Sequence, residues 1–133
     1  MSAVVDSSVI VAALVDAGPA GGWAENLIAS QEICAPGLIH AEAANVLRRL
    51  ELAKRITTHE ANAAHQDLME LPIEVFPFAP FADRIWALRH AVTSYDAWYV
   101  ALAEALGFPL ATLDERLAKA AGPRCRFMVH GSR

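Results

Sequence analysis

The sequence predicts an α/β fold in which a parallel sheet is covered by helices on both faces. Short β-branched or apolar runs at 3–5, 33–35, 73–76, 109–112 and 127–129 alternate with segments of helical periodicity. The chain has 133 residues, 55% of them hydrophobic, which suits one domain (residues 1–133) with a core of its own. No internal repeat, low-complexity tract or linker interrupts the alternation.

Each element follows from local signals. The run 3–5 is a first strand ending at Asp6, and Ser7 and Ser8 open a helix over 7–15. Gly18 to Gly22 predicts a glycine-rich turn before a helix over 23–29. Strand two, 33–35, stops at Pro36-Gly37, and apolar positions at Leu38, Ile39, Val46, Leu47 and Leu50 give a helix over 38–52. Thr57 and Glu60 form a capping-box pattern for a helix over 58–71. Strand three is 73–76, and Pro80 suits the first turn of a helix through 91. Ser94 is the expected N-cap of a helix from Tyr95 to Leu106, with Gly107 as its terminator. Strand four (109–112), a helix over 115–121 and strand five (127–129) complete the chain.

Bulk properties exclude several classes. The longest apolar run, Val9 to Val15, is far short of the ~20 residues of a membrane span. The opening Met1 to Asp6 has no basic region and meets a charge at once, so a signal peptide is not expected. Cys34 and Cys125 have no metal-binding spacing and are expected to be free thiols in a reducing cytoplasm. The net charge of −4 argues against binding nucleic acid by bulk charge. If four acids belong to a metal site, however, the remaining charges balance. His40, His59, His65, His90 and His130 show no ligand spacing. Trp23, Trp86 and Trp98 are expected in the core or a dimer interface rather than under nucleobases.

The helix from Tyr95 is the one around which the chain is organised. It is apolar on nearly every side, yet Asp96 lies in its first turn. The helix dipole favours an anion there by only ~0.3–1 kcal/mol, so a cation is expected beside it. Asp6 and Asp114 follow strands one and four, where ligands bind in open α/β sheets. Each has a plain alternative: Asp6 caps the helix at Ser7, and Thr112 with Glu115 forms a capping box around Asp114. Glu42 shares a helix face with Leu38, Asn45 and Arg49, which could equally be a solvated face. Two carboxylates ~5 Å apart repel by ~3 kcal/mol at an effective dielectric of 20. Four converging acids therefore require raised pKa values or a cation, and all-oxygen ligation suits Mg²⁺ or Mn²⁺.

The stretches Asp6-Ser7-Ser8-Val9-Ile10-Val11-Ala12, Glu42 with Asn45-Val46-Leu47-Arg48-Arg49, Tyr95-Asp96-Ala97 with Tyr99-Val100-Ala101-Leu102-Ala103, and Thr112-Leu113-Asp114-Glu115-Arg116-Leu117 together resemble PIN-domain nucleases, and within them the VapC-type toxins of toxin–antitoxin pairs. The third and fourth motifs are the specific ones. Leu113 departs from the pattern, which more often has a small residue there. The resemblance implies a three-layer sandwich with strand order 3-2-1-4-5 and Mg²⁺-dependent cleavage of RNA by activated water. It also implies Asp6, Asp96 and Asp114 as metal ligands, with Glu42 completing the catalytic set. Ser8, Asn45 and Thr112 are implied as supporting or substrate-contacting groups. A homodimer and a VapB-type antitoxin that covers the acidic pocket are the implied partners.

Two groups of basic residues, Arg48, Arg49, Lys54 and Arg55, and Arg84 with Arg89, are either solvated helix faces or phosphate contacts. Two rivals remain. A receiver-like signalling module would need a lysine near the last strand, and none lies beyond Lys119. A catalytically inert PIN fold that only binds RNA or protein would keep the architecture and lose the chemistry.

Overall fold

β1 (Ser2–Val5) lies at the centre of the sheet, pairing in parallel with β2 (Glu32–Pro36) on one side and β4 (Leu110–Ala111) on the other. β3 (Ile73–Phe76) and β5 (Phe127–Met128) complete the order β3-β2-β1-β4-β5, as the family resemblance implies. Ala3, Val4 and Val5 are fully buried, as befits a strand covered on both faces. A computed structural model of the chain describes residues 1–131.

The helices are α1 (Ser7–Val15), α2 (Pro19–Ser30), α3 (Ile39–Leu52), α4 (Thr58–Glu70), α5 (Ala82–Ala87), α6 (Ser94–Leu106) and α7 (Glu115–Ala118). The chain steps from β1 outward to β3, then crosses back to β4 and β5. Right-handed crossovers therefore place α1 to α4 on one face and α5 to α7 on the other. α1 packs on α2, α3 and α4, and α6 packs on α5 and on the central strands. The step in opposite directions from β1 and β4 opens a crevice at their carboxyl ends.

Six elements differ from the sequence expectation. α2 begins at Pro19, whose fixed φ suits a helix start, so Gly21 and Gly22 lie inside the helix. Gly21 is required there, since a Cβ would come within 1.7 Å of the Asp16 carbonyl oxygen. The expected helix over 80–91 is a 3₁₀ turn, Ala79–Phe81, followed by the short α5. After Leu88 the backbone closes in i→i+3 turns, Arg89 N–H to Trp86 and Ala91 N–H to Leu88, which release residues 88–93 from the helix. The N-cap of α6 is Thr93 rather than Ser94, its hydroxyl accepting from Asp96 N–H at 3.2 Å. β4, α7 and β5 are each shorter than predicted.

Other signals hold. Thr57 and Glu60 form the reciprocal capping box, and Gly107 ends α6 at φ 71°. Cys34 and Cys125 are free thiols, and among the described residues no helix is long and apolar enough to cross a membrane.

Candidate active site

The parallel register places Val5 beside Ala111, so the next residues, Asp6 and Thr112, emerge side by side at the crevice. Asp6 serves two purposes at once. One carboxylate oxygen caps α1, accepting from Ser8 N–H at 3.1 Å and Val9 N–H at 3.3 Å, and also accepts from the Ser8 hydroxyl. The other accepts from the Thr112 hydroxyl. Capping and a site role are thus compatible. Asp6 is buried, and burial pushes its carboxyl up to about 6. Its hydrogen bonds from Ser8, Thr112 and Val9 act against that rise, and the charge of Asp96 adds to it.

Ser8 and Thr112 extend the lattice into the loop after β4. The Ser8 hydroxyl accepts from Leu113 N–H at 3.0 Å, and the Thr112 hydroxyl accepts from Asp114 N–H at 2.9 Å. Leu113 therefore fits, with its backbone in the lattice and its side chain against the core. Asp114 is itself the N-cap of α7, accepting from Arg116 N–H at 3.0 Å and Leu117 N–H at 3.3 Å. The expected alternative, a Thr112–Glu115 capping box, does not form, because Thr112 is committed to Asp6 and Asp114.

Glu42, in the first turn of α3, accepts from the phenol of Tyr99 on α6. Burial raises its carboxyl, the Tyr99 bond opposes this, and Asp96 adds to it. Tyr99 is almost fully buried, and burial, then Glu42, pushes its phenol up, so it remains a donor. Asp96 is half-buried, and its carboxyl is raised first by desolvation and then by Asp114. No ion pair among the described residues engages Asp6, Glu42 or Asp96, so the cation expected beside Asp96 is not a side chain bonded to it. Arg116 acts on it only through space and pairs weakly with Asp114 at 3.8 Å.

The acids form one electrostatic group, with Asp96 acting on both Asp6 and Glu42 and Asp114 acting on Asp96. The carboxyls of Asp6, Glu42 and Asp96, raised first by burial and further by neighbouring acids, are hard oxygen donors that fit a divalent cation. As they stand, no three His, Cys, Asp or Glu side chains among the described residues are gathered closely enough to hold one. A cavity of about 440 Å³ opens beside the group, lined by Arg89, His90, Thr93, Asp96, Asp114 and Arg116 among others. Asn45 is exposed, and no hydrogen bond among the described residues ties it to the acids.

The PIN domain family model matches residues 3–123, from the strand that delivers Asp6 to beyond α7. The chain belongs to the PIN domain family. The chain is 42% identical to ribonuclease VapC1 of Mycobacterium tuberculosis over 127 residues, 95% of this chain and 96% of the relative. Two solved structures share the PIN fold. One is the M. tuberculosis VapC20 toxin, described as cleaving the sarcin–ricin loop, with a TM-score of 0.65 at 21% identity over 87% of this chain and 92% of that one. The other is the VapBC2 complex of Rickettsia felis bound to a promoter DNA fragment, with a TM-score of 0.65 at 14% identity over 97% and 98%.

The PIN domain's sequence pointed to the acids, and the family resemblance to Ser8 and Thr112 beside Asp6, but Tyr99 and Arg116 were missed. Tyr99 stands three residues after Asp96, on the same side of α6, a spacing that could have found it. Arg116 follows Asp114 by two. Of the basic residues weighed, Lys54 and Arg55 line a separate groove with Glu51 and Glu60. Arg84 is committed to Glu104, with its Nε at 2.7 Å, and to the Gly122 carbonyl. The arginines at the acids are Arg89 and Arg116.

Proposed function

We propose that this PIN domain is an endoribonuclease that hydrolyses RNA phosphodiesters with Mg²⁺ or Mn²⁺, acting in the cytoplasm as the toxin of a toxin–antitoxin pair. The observation that carries the reading is Asp6 locked by Ser8 and Thr112 at the end of β1, with the charge of Asp96 felt by both Asp6 and Glu42 and that of Asp114 felt by Asp96. The 42% identity to a protein named a ribonuclease supports it.

Asp6, Asp96 and Asp114 would hold the ion, which supplies a lowered pKa to water and neutralises phosphate charge. Ser8 and Thr112 fix the Asp6 carboxylate through both of its oxygens, so little reorganisation is left at the moment of reaction. Glu42, whose carboxyl is raised by burial while the Tyr99 phenol opposes that rise, accepts the proton of the attacking water. Arg89 and Arg116 draw the RNA phosphates toward an otherwise anionic crevice. In-line attack by water leaves a 5′-phosphate and a 3′-hydroxyl, and the 2′-hydroxyl takes no part in the chemistry.

Residues 1–133 act as a single nuclease domain, and the working form is a homodimer. A second cavity, about 510 Å³, lies between α1 and α3, lined by Ser8, Val11, Val46, Leu50, Arg55 and Ile56. Its apolar walls suit a helical segment of a VapB-type antitoxin, whose arginine would reach the acids past Ser8. The open spacing of the carboxylates favours one rival, a PIN fold that binds without cutting.

Purified protein and its Asp96→Asn variant, incubated with total RNA in Mg²⁺, Mn²⁺ or EDTA, separate the two readings. Metal-dependent cuts that vanish in the variant are expected, with 5′-phosphate ends on sequencing. No cutting, together with no metal-induced rise in melting temperature, would overturn the nuclease reading.

A further inference from the structure

The sequence places Trp86 in the core or a dimer interface, and the structure leaves it 64% exposed on α5. The buried side of that helix is supplied by Ile85, with Leu88 just beyond, so the indole adds nothing to the core. It is instead paired with Arg89. The guanidinium carbon lies 4.5 Å from the centroid of the indole ring, and Nη1 donates to the Trp86 carbonyl at 2.9 Å. Two anchors thus hold a side chain that would otherwise sample many rotamers. Arg89 in turn lines the cavity that holds Asp96 and Asp114. An exposed aromatic surface and a fixed cation therefore stand at the lip of the acidic crevice.

A single RNA strand alternates anionic phosphates with flat bases. Arg89 and Arg116 meet the first need, and the stacked indole and guanidinium meet the second. We propose that Trp86 and Arg89 form a nucleobase platform that seats a nucleotide flanking the scissile phosphate of a single-stranded RNA substrate. This rests on the ribonuclease reading above. Because every base has a π-face, the platform adds affinity and placement without choosing the base. Trp86 is a positioning residue, since it touches a neighbouring nucleotide and not the reacting atoms.

The test uses the full chain carrying Asp96→Asn, so that RNA is bound without being cut, in Mg²⁺ with a fluorescein-labelled single-stranded RNA of mixed sequence. Trp86→Ala is expected to weaken binding roughly tenfold, and Trp86→Phe to restore most of it. An abasic ribose–phosphate chain is expected to bind the parent weakly and Trp86→Ala no more weakly. With native Asp96, Trp86→Ala is expected to raise KM for cleavage and leave kcat nearly unchanged. Equal RNA binding by parent and Trp86→Ala would overturn the platform, as would an equal loss on base-bearing and abasic chains. Sedimentation that shows Trp86→Ala splitting a dimer, with RNA binding intact, would make the ring an interface between copies and overturn it too. If the chain with native Asp96 cuts no RNA and the Asp96→Asn chain binds none, the ribonuclease reading falls, and the platform with it.

Discussion

Thr112 and Asp6 are 106 residues apart in sequence and joined by one hydroxyl, which donates to Asp6 and accepts from the backbone N–H of Asp114. Both residues are buried, so this hydroxyl is the pin between β1, β4 and the loop that carries the fourth acid. Thr112→Val keeps the shape and removes the pin. It leaves a buried carboxylate oxygen and a backbone N–H short of a partner, which is expected to cost about 2 kcal/mol in urea unfolding. Thr112→Ser should recover most of that. A Val variant as stable as the parent would show that the lattice contributes nothing to the fold.

The charge cluster predicts that removing the Asp96 charge raises stability. Asp96 faces Asp114, Asp6 and Glu42 without a bonded cation, and its carboxyl is raised by burial and by Asp114. Asp96→Asn removes the repulsion and keeps the shape. In EDTA at neutral pH the variant is expected to be more stable by about 1 kcal/mol and to show a higher Tm. Added Mg²⁺ should raise the parent's Tm and leave the variant's unchanged. A variant that melts below the parent in EDTA would contradict the picture of unrelieved repulsion.

Two sets of carboxyls, Asp6 with Glu42 and Asp96 on one side and Glu104 on the other, set the pH dependence of the metal-free fold, with opposite signs. The Asp6 carboxyl is at about 6 when folded against a model value of 3.8, so the folded state holds the proton more tightly. Its contribution is favourable below about 4 and is lost as pH rises toward 6, by at most about 3 kcal/mol. Glu42 and Asp96 are raised too and act in the same direction. Glu104 is the reverse. Arg84 and the Arg124 N–H hold it below its ordinary value despite its burial, so its stabilisation is present above about 4.5 and lost as pH falls below that. Metal-free protein is therefore expected to be most stable near pH 5, and saturating Mg²⁺ should move the maximum upward. Melting scans across pH with and without metal check this, and a metal-free maximum above pH 7 would be the contrary result.

The parts of the fold and site that were legible in the sequence are those written locally. Asp6 next to a β-branched strand, Thr57 with Glu60 three residues on, and Gly107 after an apolar helix each state their role within a few positions. The sheet order came through the family motifs rather than through any local signal. What stayed hidden depends on contacts across long stretches of chain. Tyr99 reaches Glu42 from 57 residues away, and Arg84 pairs with Glu104 across 20. A helical pattern over 80–91 gave no warning that the backbone leaves the helix after Leu88, yet that departure turns Arg89 and His90 to the cavity beside the acids. The choice of Ser94 over Thr93 as N-cap failed for a simpler reason. Both residues can cap, and Thr93 wins by accepting from the N–H of Asp96, the residue whose placement matters.

Tyr99 gives the last prediction. Its phenol donates to Glu42 and is the hydrogen bond that opposes the rise of the Glu42 carboxyl. Tyr99→Phe removes the donor and little volume, leaving a half-buried carboxylate that has lost its partner. The Glu42 pKa then rises further, because burial and Asp96 act unopposed. If Glu42 accepts the proton of the attacking water, it must be ionised to act, so the acid limb of the pH–rate profile is expected to move to higher pH. The rate at neutral pH should fall by roughly tenfold, with recovery at alkaline pH. A purely structural role would lower the rate equally at every pH, so a profile that drops without shifting would remove Glu42 from the proton-accepting role.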